Sequence, residues 1–117
     1  MTHTVLLVED ELELREMMRE ALELNGYVVV AGHDGRDALN KLEGIERLCL
    51  VILDLLMPEM NGWEFFEKLR QRAELATVPV VVYSSAPIDA PAGVTRVLQK
   101  PMSFDGLLSV VREFCAR

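Results

Sequence analysis

Short apolar runs alternate with amphipathic stretches along the whole chain. Residues 5–8 are apolar throughout, and residues 11–25 then place Leu12, Met17, Met18, Ala21, Leu22 and Leu24 at spacings of roughly three and four, the repeat of a helix with one apolar face. Asn25 and Gly26 supply a stop signal, residues 27–31 predict a second strand, and Asp34 is placed to cap a shorter helix reaching residue 43. A third strand is predicted at 49–53. Asn61 precedes a predicted helix over 62–74, Pro79 opens a strand at 80–83, residues 96–99 make a last short strand, and Ser103 is placed to cap a closing helix. Wholly apolar strands need cover on both faces, and their alternation with helices implies parallel crossovers. The pattern predicts an α/β fold, a doubly wound parallel sheet, in one domain over 1–117. The rhythm breaks once, between Ser84 and Lys100, where Pro87, Pro91 and Gly93 crowd the segment expected to hold the fourth helix. That helix is expected to be short or missing.

Composition narrows the classes. A chain of 117 residues, half of them hydrophobic, can build one real core, and no apolar run is long enough to span a bilayer. The net charge of −7 disfavours nonspecific binding to nucleic acid or an anionic membrane. The start of the chain carries no export signal, which makes the cytoplasm the expected compartment. Cys49 and Cys115 fit neither a metal-ligand pair nor a disulfide framework, so both are expected as free thiols, Cys49 buried. Met17 and Met18 are expected to pack, as are some of Trp63, Phe65 and Phe66. Glu13, Glu16, Glu20 and Glu23, interrupted by Arg15 and Arg19, predict a solvated helix face.

In a doubly wound sheet, ligands bind at the carboxyl ends of the strands. Glu9 and Asp10 follow the first strand, Asp54 the third, Ser84 ends the fourth and Lys100 the fifth. Each has an ordinary explanation alone: Asp10 as a helix cap, Asp54 as a turn residue, Ser84 as a loop polar group, Lys100 as a solvated charge. Together they deliver three acids, a hydroxyl and an amine to one rim. Three neighbouring carboxylates repel unless a cation sits among them, and oxygen-only ligation suits Mg²⁺ or Mn²⁺. Mg²⁺ commonly takes remaining oxygens from a phosphate, and a carboxylate can attack phosphorus when nearby cations offset the charge. Asp54 is the expected nucleophile, with Glu9 and Asp10 on the metal, Lys100 pairing with a phosphoryl oxygen and Ser84 donating to another.

The stretches "VLLVEDE", "LDLLMPEMNG", "VVVYSS" and "LQKP" together resemble the receiver domain of bacterial response regulators, in order and over essentially the whole chain. The resemblance implies a flavodoxin-like five-stranded sheet of order 2-1-3-4-5 that accepts a phosphoryl group from a kinase phosphohistidine. By position Asp54 is similar to the phosphoacceptor, Glu9 and Asp10 to the acidic pair, and Ser84 and Lys100 to the switch hydroxyl and lysine. The backbone carbonyl of Leu56 is similar to the third metal-facing oxygen, and the Lys100–Pro101 bond is implied to be cis. The implied cofactor is Mg²⁺. Implied partners are a sensor histidine kinase or phosphotransfer protein, docking beside the first helix, and a downstream protein target, with a homodimer as one assembly to test. No direct nucleic-acid or membrane contact and no metabolite turnover are expected.

The chain departs from the family pattern in places. Val97 stands where an aromatic switch residue is usual, and strand alternation points Tyr83 away from Ser84, so Tyr83 is not assigned that role. An apolar Leu56 cannot orient an attacking water and Ala86 leaves room beside the phosphoryl group, which predicts a moderately long-lived adduct. Two rivals stand beside this reading. One is a receiver-like module acting by constitutive contact, which the presence of all five site residues disfavours. The other is a phosphohydrolase passing through an aspartyl phosphate, for which the second acid expected two residues after the nucleophile is replaced by Leu56.

Overall fold

The computed structural model describes residues 3–55, 61–84, 92–100 and 103–115. The elements are β1 (Thr4–Val8), α1 (Leu12–Leu24), β2 (Val28–Gly32), α2 (Gly35–Leu42), β3 (Leu48–Asp54), α3 (Gly62–Arg70), a 3-10 turn (Ala73–Leu75), β4 (Val80–Ser84), β5 (Arg96–Gln99) and α4 (Phe104–Phe114). All strand pairs are parallel, in the order β2-β1-β3-β4-β5. This is the doubly wound sheet that the alternation predicts. The described residues between β4 and β5, 92–95, hold no helix. Among the described residues no helix is long and apolar enough to cross a membrane.

Helix ends follow the expected chemistry. The side chains of Asp34, Asn61 and Ser103 accept from the N–H groups of Asp37, Glu64 and Gly106 at 2.7, 3.0 and 3.0 Å. Helix α1 stops at Asn25 because Gly26 turns left-handed (φ 90°), which lets the Gly26 and Tyr27 N–H groups bond back to Glu23 and Leu22. Helix α3 is shorter than predicted, since Arg72 is already extended.

The sheet separates two cores. Val5, Leu7, Leu50, Ile52 and Val81 face Met18 and Leu22 of α1 and Leu107, Val110 and Val111 of α4. Leu6, Val8, Val51, Leu53, Val80 and Val82 face Ala38 and Leu42 of α2 and Phe65, Phe66 and Leu69 of α3, with Trp63 packed at the margin. The inward stripe of α1 is narrower than the pattern suggests: Leu14 packs with Met18 and Leu22, while Leu12, Met17 and Leu24 are exposed. Met17 is therefore a surface residue.

The cysteines correct the free-thiol expectation. Cys49, half-buried at the start of β3, and buried Cys115, just past α4, form a disulfide with Cα atoms 5.4 Å apart. Helix α4 runs back across the sheet toward the amino ends of the strands, and this return joins two residues separated by 66 positions.

Candidate functional site

Residues at the carboxyl ends of the strands, or one position beyond, continue the pleat. Glu9 is two residues beyond Leu7, Asp54 two beyond Ile52, and Tyr83 two beyond Val81, all of which face α1 and α4. Register aligns them across the sheet: Leu7 pairs with Ile52 and Asp54 with Tyr83. Lys100, two residues past Leu98 on β5, completes the row.

The side chains meet there. Ligand oxygens of Glu9, Asp10 and Asp54 lie within 4.8 Å of one another. Lys100 Nζ reaches Glu9 Oε1 at 3.1 Å and Asp54 Oδ2 at 3.3 Å. Both acids are buried, whereas Asp10 is exposed. Asp10 does not cap α1: Glu11 occupies the cap position without a side-chain bond, and Glu9 Oε2 takes the Glu11 N–H at 3.0 Å. Arg15, expected on the solvated face, instead donates from Nη1 to the Glu9 carbonyl at 2.9 Å and holds the β1–α1 loop.

Burial alone would raise the Glu9 carboxyl, but the Tyr83 hydroxyl, the Glu11 N–H and the Lys100 ammonium outweigh it and hold Glu9 below the usual carboxylate range. Asp10 is pushed up, by desolvation and then by Glu9 beside it. Burial disfavours the Lys100 charge, yet Asp54 and Glu9 raise its pKa overall. Like charges at this separation disfavour one another, and a cation among them would offset that repulsion. Three hard oxygen donors, with no histidine or thiolate among them, fit Mg²⁺ or Mn²⁺.

Ser84 is buried at the end of β4, one residue past Tyr83, and its carbonyl accepts the Lys100 N–H at 2.7 Å. Val97 is half exposed on β5. Leu56, Ala86 and the Lys100–Pro101 bond lie outside the described residues. Gly62 opens α3 against the end of β3: its N–H donates to Leu55 O at 2.9 Å.

Tyr83 was missed in the sequence. Its hydroxyl donates to Glu9 Oε1, and the Lys100 ammonium sits 4.6 Å from its ring centroid. Strand alternation turns Tyr83 away from Ser84, but the register places it beside Asp54, and that register is absent from a linear pattern.

The response regulator receiver domain model matches residues 5–112. The transcriptional regulatory protein CpxR of Escherichia coli strain K12 is 30% identical over 116 residues, 97% of this chain and 49% of that protein. The response regulator MprA of Mycobacterium ulcerans strain Agy99 is 31% identical over 125 residues, 100% of this chain and 52% of that protein. The chain thus spans about half the length of these relatives. Among solved structures, the chemotaxis protein CheY4 of Vibrio cholerae superposes with a TM-score of 0.87 at 29% identity, covering 97% of this chain and 99% of that one. The signal receiver domain of a signal transduction histidine kinase from Syntrophus aciditrophicus gives 0.81 at 29% identity, covering 97% and 89%. This chain belongs to the response regulator receiver domains, the phosphoacceptor modules of two-component signalling.

Proposed function

We propose that Asp54 is the phosphoacceptor of this chain and that Glu9, Asp10 and Asp54, with the backbone carbonyl of Leu56, hold the Mg²⁺ that the reaction requires. The observation that carries this reading is the convergence of the three carboxylates within 4.8 Å, with the Lys100 ammonium bridging two of them. When bound, Mg²⁺ would supply the positive charge that offsets the negative charge on the phosphoryl oxygens.

An Asp54 oxygen attacks the phosphorus of a phosphohistidine on a sensor kinase or phosphotransfer protein. The new P–O bond forms as the P–N bond breaks, and the imidazole leaves with its electron pair and takes a proton. Lys100 exchanges its carboxylate contacts for a phosphoryl oxygen, and the Ser84 hydroxyl donates to another. Burial of Asp54 and Glu9 keeps these interactions strong by limiting the competing water. The same chemistry with a small phosphodonor makes this a self-phosphorylating signalling module acting in the cytoplasm on a downstream protein. Leu56 and Ala86 predict that the adduct outlasts seconds without a phosphatase.

Incubation with Mg²⁺ and acetyl phosphate, followed by intact-mass measurement, tests the assignment. One phosphoryl adduct on the wild type, absent from Asp54→Asn and from samples with EDTA, is expected. An unmodified wild type would favour the constitutive-contact module, and multiple turnover of a phosphate ester would favour a hydrolase.

A further inference from the structure

Tyr83 stands at the junction of the carboxylate rim and the core. Its ring is buried in the core cluster that includes Met18, Leu107 and Val110, and its hydroxyl lies 3.4 Å from the Met18 sulfur. Glu9, with no exposed surface, is held from three directions: Oε1 by Tyr83 and Lys100, Oε2 by the Glu11 N–H. The Glu11 donor is main chain and Lys100 is shared with Asp54, whereas the Tyr83 hydroxyl bonds Glu9 within the cluster. A phenol has one proton to give. That proton bonds Glu9 Oε1, so the hydroxyl acts on the carboxylate as a donor.

We propose that Tyr83 is a positioning residue for the metal centre, its hydroxyl fixing Glu9 in the orientation that keeps a carboxylate oxygen with those of Asp10 and Asp54, and its ring seating the Lys100 ammonium. The inference rests on the reading of Glu9 as a metal ligand. Groups that orient a metal ligand typically change metal affinity by about 10–100-fold when removed. Tyr83→Phe deletes a single oxygen and keeps the ring, which separates the hydrogen bond from the packing.

The test is Mg²⁺ binding by titration calorimetry on the wild type and Tyr83→Phe, with Tyr27→Phe as the control. The expected result is an affinity at least about tenfold weaker in Tyr83→Phe and unchanged in Tyr27→Phe. A second reading needs no substitution at Tyr83. The chain has two tyrosines, so ring-labelled protein gives two Cζ resonances, assigned by the Tyr27→Phe spectrum. Mg²⁺ should shift the Tyr83 resonance and leave that of Tyr27 in place. Wild-type binding with an unchanged Tyr83→Phe affinity, or with a stationary Tyr83 resonance, overturns the positioning role and leaves the metal reading intact. A wild type that binds no Mg²⁺ overturns both.

Discussion

Replacing Gly62 with alanine tests whether α3 sets the position of Asp54. A Cβ on Gly62 would lie 2.5 Å from Leu55 Cα, 2.7 Å from Leu55 Cδ2 and 3.0 Å from the Asp54 carbonyl oxygen. Carbon atoms rest at about 3.5–4.0 Å, so the contact with Leu55 Cα must open by about 1 Å. A rotamer change relieves only the Cδ2 contact, because the other two atoms are main chain, and the Gly62 N–H bond to Leu55 O pins the helix to the same point. Overpacking against main-chain atoms that cannot rotate away belongs in the upper part of the usual range, about 2–3 kcal/mol, and the better helix propensity of alanine offsets about 1 kcal/mol, which leaves a loss of about 1–2 kcal/mol. An unfolding entropy of about 2.1 cal/mol/K per residue converts this into a Tm lowered by about 4–8 °C for the 117-residue chain. Displacement of Asp54, the proposed phosphoacceptor, by about 1 Å should also slow phosphorylation by acetyl phosphate by about 10–100-fold. Gly44→Ala is the control, since its added Cβ meets only Lys41 O at 3.9 Å. Thermal unfolding by circular dichroism and the rate of mass gain measure the two effects. Gly62→Ala melting with the wild type and phosphorylating at the same rate would refute the reasoning.

Lys100→Met leaves Glu9 and Asp54 facing each other with side chains 1% and 5% exposed. In EDTA this variant should lose about 3 kcal/mol, and Mg²⁺ should restore more stability to it than to the wild type; an equal loss under both conditions would contradict the shared-charge account. Asn61→Ala removes the 3.0 Å cap bond to the Glu64 N–H and should cost about 1 kcal/mol in urea unfolding, while Asn61→Asp should retain most of it. Thiol titration in denaturant should find no free cysteine before reduction and two after it. Reduction should destabilise the fold by about 2–4 kcal/mol, as expected for a cross-link over 66 residues, and two reactive thiols in protein never exposed to reductant would exclude the bridge.

Much of the fold was legible because its signals are local. Strands apolar on both faces require cover on both sides, and the cap side chains of Asp34, Asn61 and Ser103 act within three residues of themselves. What the pattern misjudged depends on packing between distant segments. Cys49 and Cys115 meet only because α4 returns to the amino end of β3. On α1, a helical repeat accommodates Met17 and Leu24 as readily as Leu14, and the contact with the sheet decides which stripe is buried. Arg15 resembles its solvated neighbours in sequence, yet it bonds the carbonyl of Glu9.

The site is best understood as one further pleat of the core that faces α1 and α4. Val5 and Leu7, Leu50 and Ile52, and Val81 fill that face with apolar side chains, and the next position in each strand is Glu9, Asp54 and Tyr83. Because the row is continuous, the acids inherit the dry surroundings of the residues before them, and two carboxylates that are harmless in water become strongly coupled. That coupling explains why a lysine from a fourth strand lies across both of them. It also explains the tyrosine. An aliphatic residue at 83 would fill the same face but leave a lone pair of buried Glu9 without its donor, whereas a phenol extends the apolar row and ends it in a hydrogen bond. A binding centre on this sheet therefore follows from placing polar groups at the first position where the pleat leaves the core, and its chemistry from which strands contribute there.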